Sequence, residues 1–175
     1  EFAASHQRIG VSSEEVYYWT VTGLNSCVVE WLQEWLESCP TTVDLGNVSF
    51  QILGFNIVEP LTTYQSLLEQ PIESSLCLSF TSPTSFRRKK IHFPLPLPFN
   101  VFQSYLRRWN NFANFPIESE SFLQWVDAHV MIVRHQLHTV KVAAGKRGLV
   151  TGFLGAVEYD LSTEGAKNEE FKALL

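Results

Sequence analysis

Four consecutive cations, Arg87, Arg88, Lys89 and Lys90, stand seven residues beyond an apolar alternation of Leu76, Leu78 and Phe80. Alternate residues of a strand share a face, so the three apolar side chains are expected to point into a core. Unpaired cations are not buried. The chain must therefore return the basic block to water, or to a polyanion, soon after it leaves that core. The intervening Ser/Pro/Thr stretch, Thr81 to Ser85, is expected to form a turn. Beyond the block, Pro94-Leu95-Pro96 leads into a helix expected over Phe99 to Asn111. Its Val101, Phe102, Tyr105, Leu106 and Trp109 form one apolar stripe, and Asn100, Gln103, Ser104, Arg107 and Arg108 lie off it.

The net charge of −5 argues against a polyanion partner only if charge is spread evenly, and it is not. Residues 1–80 carry one Lys/Arg against ten Asp/Glu, for −9; residues 81–160 carry ten against five, for +5; residues 161–175 carry two against three, for −1. A polyanion would meet the second half, where local potential rather than net charge governs attraction. Cations solvating one face of an ordinary domain would give the same count. No apolar run approaches the length of a membrane span, and the first residues lack the basic and apolar regions of a signal peptide. The expected compartment is the cytoplasm, with no membrane partner. Cys27, Cys39 and Cys77 are odd in number and lack C-x-x-C spacing, so they indicate neither a disulfide framework nor a zinc site.

Before the basic block, Val16 to Thr22 is rich in β-branched and aromatic residues and is expected as a strand. Asn25-Ser26 can cap a following helix, whose Val28, Val29, Leu32, Trp35 and Leu36 recur at helical spacing before Pro40 closes it. Val48 to Ile52 alternates as a strand, and Gly54 is expected to mark a bulge. Strand, helix and strand at this spacing form part of a split βαβ unit. After the central helix, Asn111 to Gln124 is expected as a connector. Val130 to Val142 and Leu149 to Leu161 are expected as paired strands joined through a loop with Gly145 and Gly148 at the ends of Lys146-Arg147. Ser162-Thr163 is expected to open a last helix, with Glu164 near its start and Phe171, Leu174 and Leu175 on its apolar face.

Two motifs carry a family resemblance. Phe80-Thr81-Ser82-Pro83-Thr84-Ser85-Phe86-Arg87, followed by the basic block, Pro94-Leu95-Pro96 and a helix ending Leu106-Arg107-Arg108-Trp109, resembles the CRISPR precursor-RNA processing endoribonucleases, the sixth Cas family of the RAMP superfamily. Gly152-Phe153-Leu154-Gly155 resembles the G-F-apolar-G strand late in that family. The resemblance implies an α+β fold of two tandem ferredoxin-like (RRM-like, βαββαβ) domains, truncated at both ends. Residues 1–70 would be the first, without its opening strand and helix. Residues 71–175 would be the second, without its last strand and glycine-rich loop.

By the same resemblance the activity is metal-independent, site-specific cleavage of CRISPR repeat hairpins, with no cofactor. The ribose 2′-hydroxyl attacks the adjacent phosphorus and leaves a 2′,3′-cyclic phosphate and a 5′-hydroxyl. Such chemistry needs a base near neutral pKa and a donor or cation at the phosphate. The family register puts the histidine base just upstream of Glu1, which leaves His6 as the candidate inside the chain. The RNA-binding candidates are Arg87, Arg88, Lys89, Lys90 and His92 on the first basic projection, and Lys141, Lys146 and Arg147 on the second. The implied partners are repeat RNA, subunits of a CRISPR effector complex and a second copy of the chain. The rivals are a RAMP subunit that holds guide RNA without cutting it and a cytosolic interaction domain whose acidic half docks a basic protein. His129, His135 and His138 do not make a metal site. On a strand, His135 and His138 face opposite ways, and His129 and His135 share a face at roughly 20 Å.

Overall fold

The computed structural model describes residues 12–70, 73–88, 91–143, 148–168 and 171. They fall into two compact units, Glu14–Thr63 and, with the first residues, Tyr64–Leu175.

In the first unit, helix α1 (Ser26–Glu37) is followed by strands β1 (Thr42–Leu45) and β2 (Val48–Gln51). Asn25 caps α1 by accepting the Val28 N–H at 2.8 Å, and Ser38 closes it by donating its hydroxyl to the Glu34 carbonyl at 3.0 Å. β1 and β2 pair antiparallel from Leu45↔Val48 to Thr42↔Gln51. Val29, Leu32, Trp35 and Leu36 are half-buried. The strand expected at Val16–Thr22 is absent: the segment enters no ladder, although Tyr17 meets Phe50 edge to face at 6.1 Å. β-propensity measures fit to a pleated surface and is realised only against a neighbouring strand. Gly54 lies beyond the end of β2 and marks no bulge.

The second unit holds helix α2 (Tyr64–Leu68), strands β3 (Ser75–Thr84), β4 (Phe86–Arg88) and β5 (Ile91–Phe93), and helices α3 (Pro98–Phe112) and α4 (Ser119–His129). The long strands β6 (Val130–Ala143) and β7 (Leu149–Leu161) and a short 3-10 helix, Gly165–Lys167, follow. The sheet order is β3–β7–β6 with both pairings antiparallel, so β3 and β6 are parallel and α3–α4 is the crossover between them. The helices cover one face. There Val101, Phe102, Leu106, Ile117, Phe122, Trp125 and Val126 meet Val157, Tyr159 and Leu161 in one core, with Leu76, Leu78 and Phe80 packed at its edge.

Thr81–Thr84 is strand rather than turn: β3 continues through Pro83 to Thr84, and its register against β7 shifts between Phe80 and Thr84. Proline enters a strand at such an irregularity because no ladder hydrogen bond is asked of it there. α4 replaces the second half of the expected connector. Phe122, Trp125 and Val126 recur at helical spacing and are buried. The connection is held by Asn110, whose side chain donates to the Ile117 carbonyl and accepts the Ile117 N–H, both at 2.8 Å. Asn100, placed off the stripe by periodicity, is buried at 8% exposure, while Tyr105 on the stripe is 43% exposed. Packing between layers, not the stripe alone, selects the covered face. A 3-10 turn stands where the last helix was expected to open, with Ser162 accepting the Gly165 N–H at 3.1 Å. Phe171 meets Phe122 and Trp125, and Leu174 and Leu175 lie outside the described residues.

α4 begins at an acidic cap. The Glu118 carboxylate accepts from the Ser121 hydroxyl and N–H, both at 2.6 Å, and from the Glu120 N–H at 2.9 Å. These bonds, the Ser121 hydroxyl foremost, hold its pKa down to about 2 from an ordinary 4.5. A depressed folded-state pKa stabilises above the unfolded value, and that contribution is lost as pH falls from about 4.5 toward about 2. An NMR titration of the Glu118 carboxyl carbon is expected to show its midpoint at about 2, and Ser121→Ala to move it back toward 4.5. A midpoint near the ordinary value in the unsubstituted protein would show that the cap does not form.

Candidate nucleic-acid interface

β4 and β5 form a small hairpin in the register Phe86↔Phe93, Arg87↔His92 and Arg88↔Ile91. Successive strand residues point to opposite faces. Phe86 and Phe93 are half-buried, whereas Arg87 and His92 lie directly across from each other on the exposed face. Lys89 and Lys90 lie outside the described residues. No carboxylate of a described residue is within ion-pair distance of Arg87 or Lys141; the described pairs are Arg134 with Glu158 at 4.0 Å and Lys167 with Glu164 at 2.7 Å. Arg108 is engaged by its own helix, donating to the Ser104 hydroxyl at 3.0 Å.

The two sequence motifs meet. Phe153 is buried, packs edge to face on Phe80 at 4.8 Å and stacks on Phe86 at 6.1 Å. Gly152 lets the kinked end of β3 approach, since a Cβ there would stand 3.0 Å from the Thr84 carbonyl oxygen. The basic hairpin thus springs from an aromatic stack that β3 and β7 build together. The motifs lie far apart in the sequence, which gives no sign of this contact, although a glycine such as Gly152 inside an apolar strand marks a close approach.

The second projection rises from the same end of the sheet. β6 and β7 pair outward through Lys141↔Thr151 and Val142↔Val150 to Ala143↔Leu149. Phe153 pairs with Thr84 on one side and Thr139 on the other, so β3 leads into the first hairpin directly beside the β7 arm of the second, with Thr84 and Thr139 two strand spacings apart, about 10 Å. Lys141 is exposed, and Gly148, at φ +74°, supports the chain reversal. Lys146 and Arg147 lie outside the described residues, as does His6.

The other histidines are dispersed. His129 ends α4 rather than lying on a strand with His135, and its Nδ1 is 2.9 Å from the Ser162 hydroxyl. Helix α4 displaces it from the expected strand face. His135 pairs with Val157 and His138 with Leu154, both exposed. Among the described residues no group of three or more His, Cys, Asp or Glu is arranged to hold a metal ion. No helix among them is long and apolar enough to cross a membrane.

An antiparallel sheet in the order β3–β7–β6, backed by crossover helices, defines a ferredoxin-like α+β protein, with Arg87 and Lys141 exposed toward one end of the sheet. The family model of the CRISPR-associated endoribonuclease Cas6 matches residues 78–175, and the chain belongs to that family. Among solved structures, it is similar to a Cas6 product complex, at 27% identity and TM-score 0.70 over 86% of this chain and 64% of the other. A Cas6 substrate-mimic complex matches at 26% identity and TM-score 0.71 over 86% and 66%. Thermus thermophilus Cas6 shares the fold at 24% identity and TM-score 0.55 over 64% and 49%. The chain therefore spans just under two thirds of the Cas6 protein in these two complexes. Among curated proteins nothing matches. The architecture is that of the tandem ferredoxin-like Cas6 fold.

Proposed function

We propose that this chain is the RNA-gripping portion of an endoribonuclease that binds and cuts CRISPR repeat hairpins in precursor RNA. The observation that carries the proposal is that the β4–β5 pair and the outer end of the β6–β7 pair lie at one end of a Cas6-family sheet, with Arg87 and Lys141 exposed and unneutralised by described carboxylates. A-form RNA hides its base edges in a narrow major groove, so a stem is held through its phosphates, its shape and its ends. Cations on two projections suit phosphates on opposite strands of a stem.

In this mechanism the 2′-hydroxyl attacks the adjacent phosphorus, the 5′-oxygen departs, and the products carry a 2′,3′-cyclic phosphate and a 5′-hydroxyl. The general base is a histidine N-terminal to residue 12, either His6 or one preceding Glu1. Arg87, Arg88, Lys89, Lys90 and His92 hold one strand, and Lys141, Lys146 and Arg147 the other. The setting is the prokaryotic cytoplasm, where the transcript is made.

The test is to mix the full-length protein with hairpin RNA from its own CRISPR repeat in excess EDTA and to resolve products by length and end group. A single cut leaving a cyclic phosphate is expected. Tight binding without a cut would replace the nuclease with a guide-holding subunit, and absence of binding would leave a protein-interaction domain.

A further inference from the structure

The β4–β5 hairpin is tied to β7 at both of its ends. On entry, Phe86 stacks on Phe153 at an interplanar angle of 30°, and Thr84 pairs with Phe153. On exit, the buried Tyr159 hydroxyl donates to the Pro96 carbonyl at 2.7 Å. Phe153 and Tyr159 are an even number of residues apart on β7, so they face the same side. Thr84 and Pro96, on either side of the β4–β5 hairpin, are thereby both fixed to one strand.

We propose that Tyr159 is a positioning residue for RNA binding: its bond to Pro96 holds the basic hairpin in the orientation that meets phosphate. The proposal rests on the assignment of that hairpin to RNA. Tyr159 is 1% exposed, and Pro96 is buried, so no water replaces the phenol at this carbonyl when it is removed. Burial also pushes the phenol well above its ordinary pKa, which keeps the hydroxyl a donor across the working pH range. A tie can favour the bound orientation by no more than its own free energy, which bounds the effect on affinity at about tenfold.

The experiment measures the affinity of the full-length protein for repeat-hairpin RNA in EDTA across a salt series, together with Tm. It compares the unsubstituted protein with Tyr159→Phe, Asn110→Ala and Arg87→Ala. Tyr159→Phe is expected to weaken binding about three- to tenfold and to make the salt dependence shallower. Asn110→Ala, which loses both bonds to Ile117 away from the hairpin, is expected to lower Tm at least as far while leaving the affinity and salt slope of the folded protein unchanged. If Tyr159→Phe does not fold, Phe86→Leu loosens the entry tie and is read in the same way. Lowered Tm with unchanged affinity and slope in Tyr159→Phe overturns the proposal, as does an equal loss of affinity in Asn110→Ala. Unchanged binding by Arg87→Ala overturns the assignment of the hairpin to RNA and the proposal with it. Weakened binding by Arg87→Ala alone overturns only the role of Tyr159.

Discussion

With Arg87 and Arg88 both replaced by alanine, the protein is expected to bind repeat-hairpin RNA about ten- to a hundredfold more weakly near physiological salt. The plot of log K against log salt should become shallower by about one to two, because each cation at a phosphate releases condensed counterions and two such sites are removed. Two observations support assigning the effect to Arg87 on the hairpin. Arg87 stands opposite His92 on the exposed face, and no described carboxylate neutralises it. The aromatic face beneath, Phe86 on Phe153, keeps its packing in the double variant, so Tm should move little. A filter-binding or fluorescence titration at several salt concentrations reads both quantities. Unchanged affinity with an unchanged slope would remove this hairpin from the interface and leave the β6–β7 hairpin as the candidate.

Gly155→Ala is expected to be the most damaging single change to the fold. Gly155 sits on the central strand, paired with Phe80 on one side and Leu137 on the other, at φ +125°. A Cβ there would stand 2.0 Å from the Gln136 carbonyl oxygen, a backbone atom that no rotamer change can move away. The variant must both strain the backbone and part β6 from β7. The expected loss is about 3–5 kcal/mol, read from urea unfolding or as failure to accumulate folded protein. Gly148→Ala supplies the contrast. Its φ of +74° carries the backbone strain, but nothing lies within 4 Å of the new Cβ. That variant should lose only about 1–2 kcal/mol. Equal losses at the two positions would mean that the close approach to Gln136 contributes nothing.

Several elements could be read directly from the residues because their causes are local. Asn25 and the spacing of Val29, Leu32 and Leu36 specify α1, and its cap bond is made as expected. Two strand-like segments separated by a glycine-bearing loop are expected to pair, and β6 and β7 do pair antiparallel, in a register that the structure supplies. The Leu76, Leu78, Phe80 alternation faces the core, and the four cations stand beyond it. Other elements were misread where a distant neighbour decided the outcome. Val16–Thr22 has the composition of a strand but pairs with none. α4 was hidden in an apparent connector because its cap is a glutamate, whose hold on the helix start depends on the Ser121 and Glu120 donors. His129, read as a strand residue, became the end of that helix.

The sequence by itself determined which residues are cationic, that they follow an alternating apolar strand, and that two motifs of one nuclease family occur in order. Charge, alternation and spacing are properties of neighbouring residues, so they survive without coordinates. Only the tertiary structure decided that the two motifs are a single object. Phe153 lies between Phe80 and Phe86, Gly152 admits the bend of β3, and Tyr159 reaches Pro96 across 63 residues of chain. These contacts arise from the β3–β7–β6 order, in which the strand latest in the chain takes the central place. Packing against both neighbours then fixes where each basic hairpin emerges, a relation that no local rule of sequence contains.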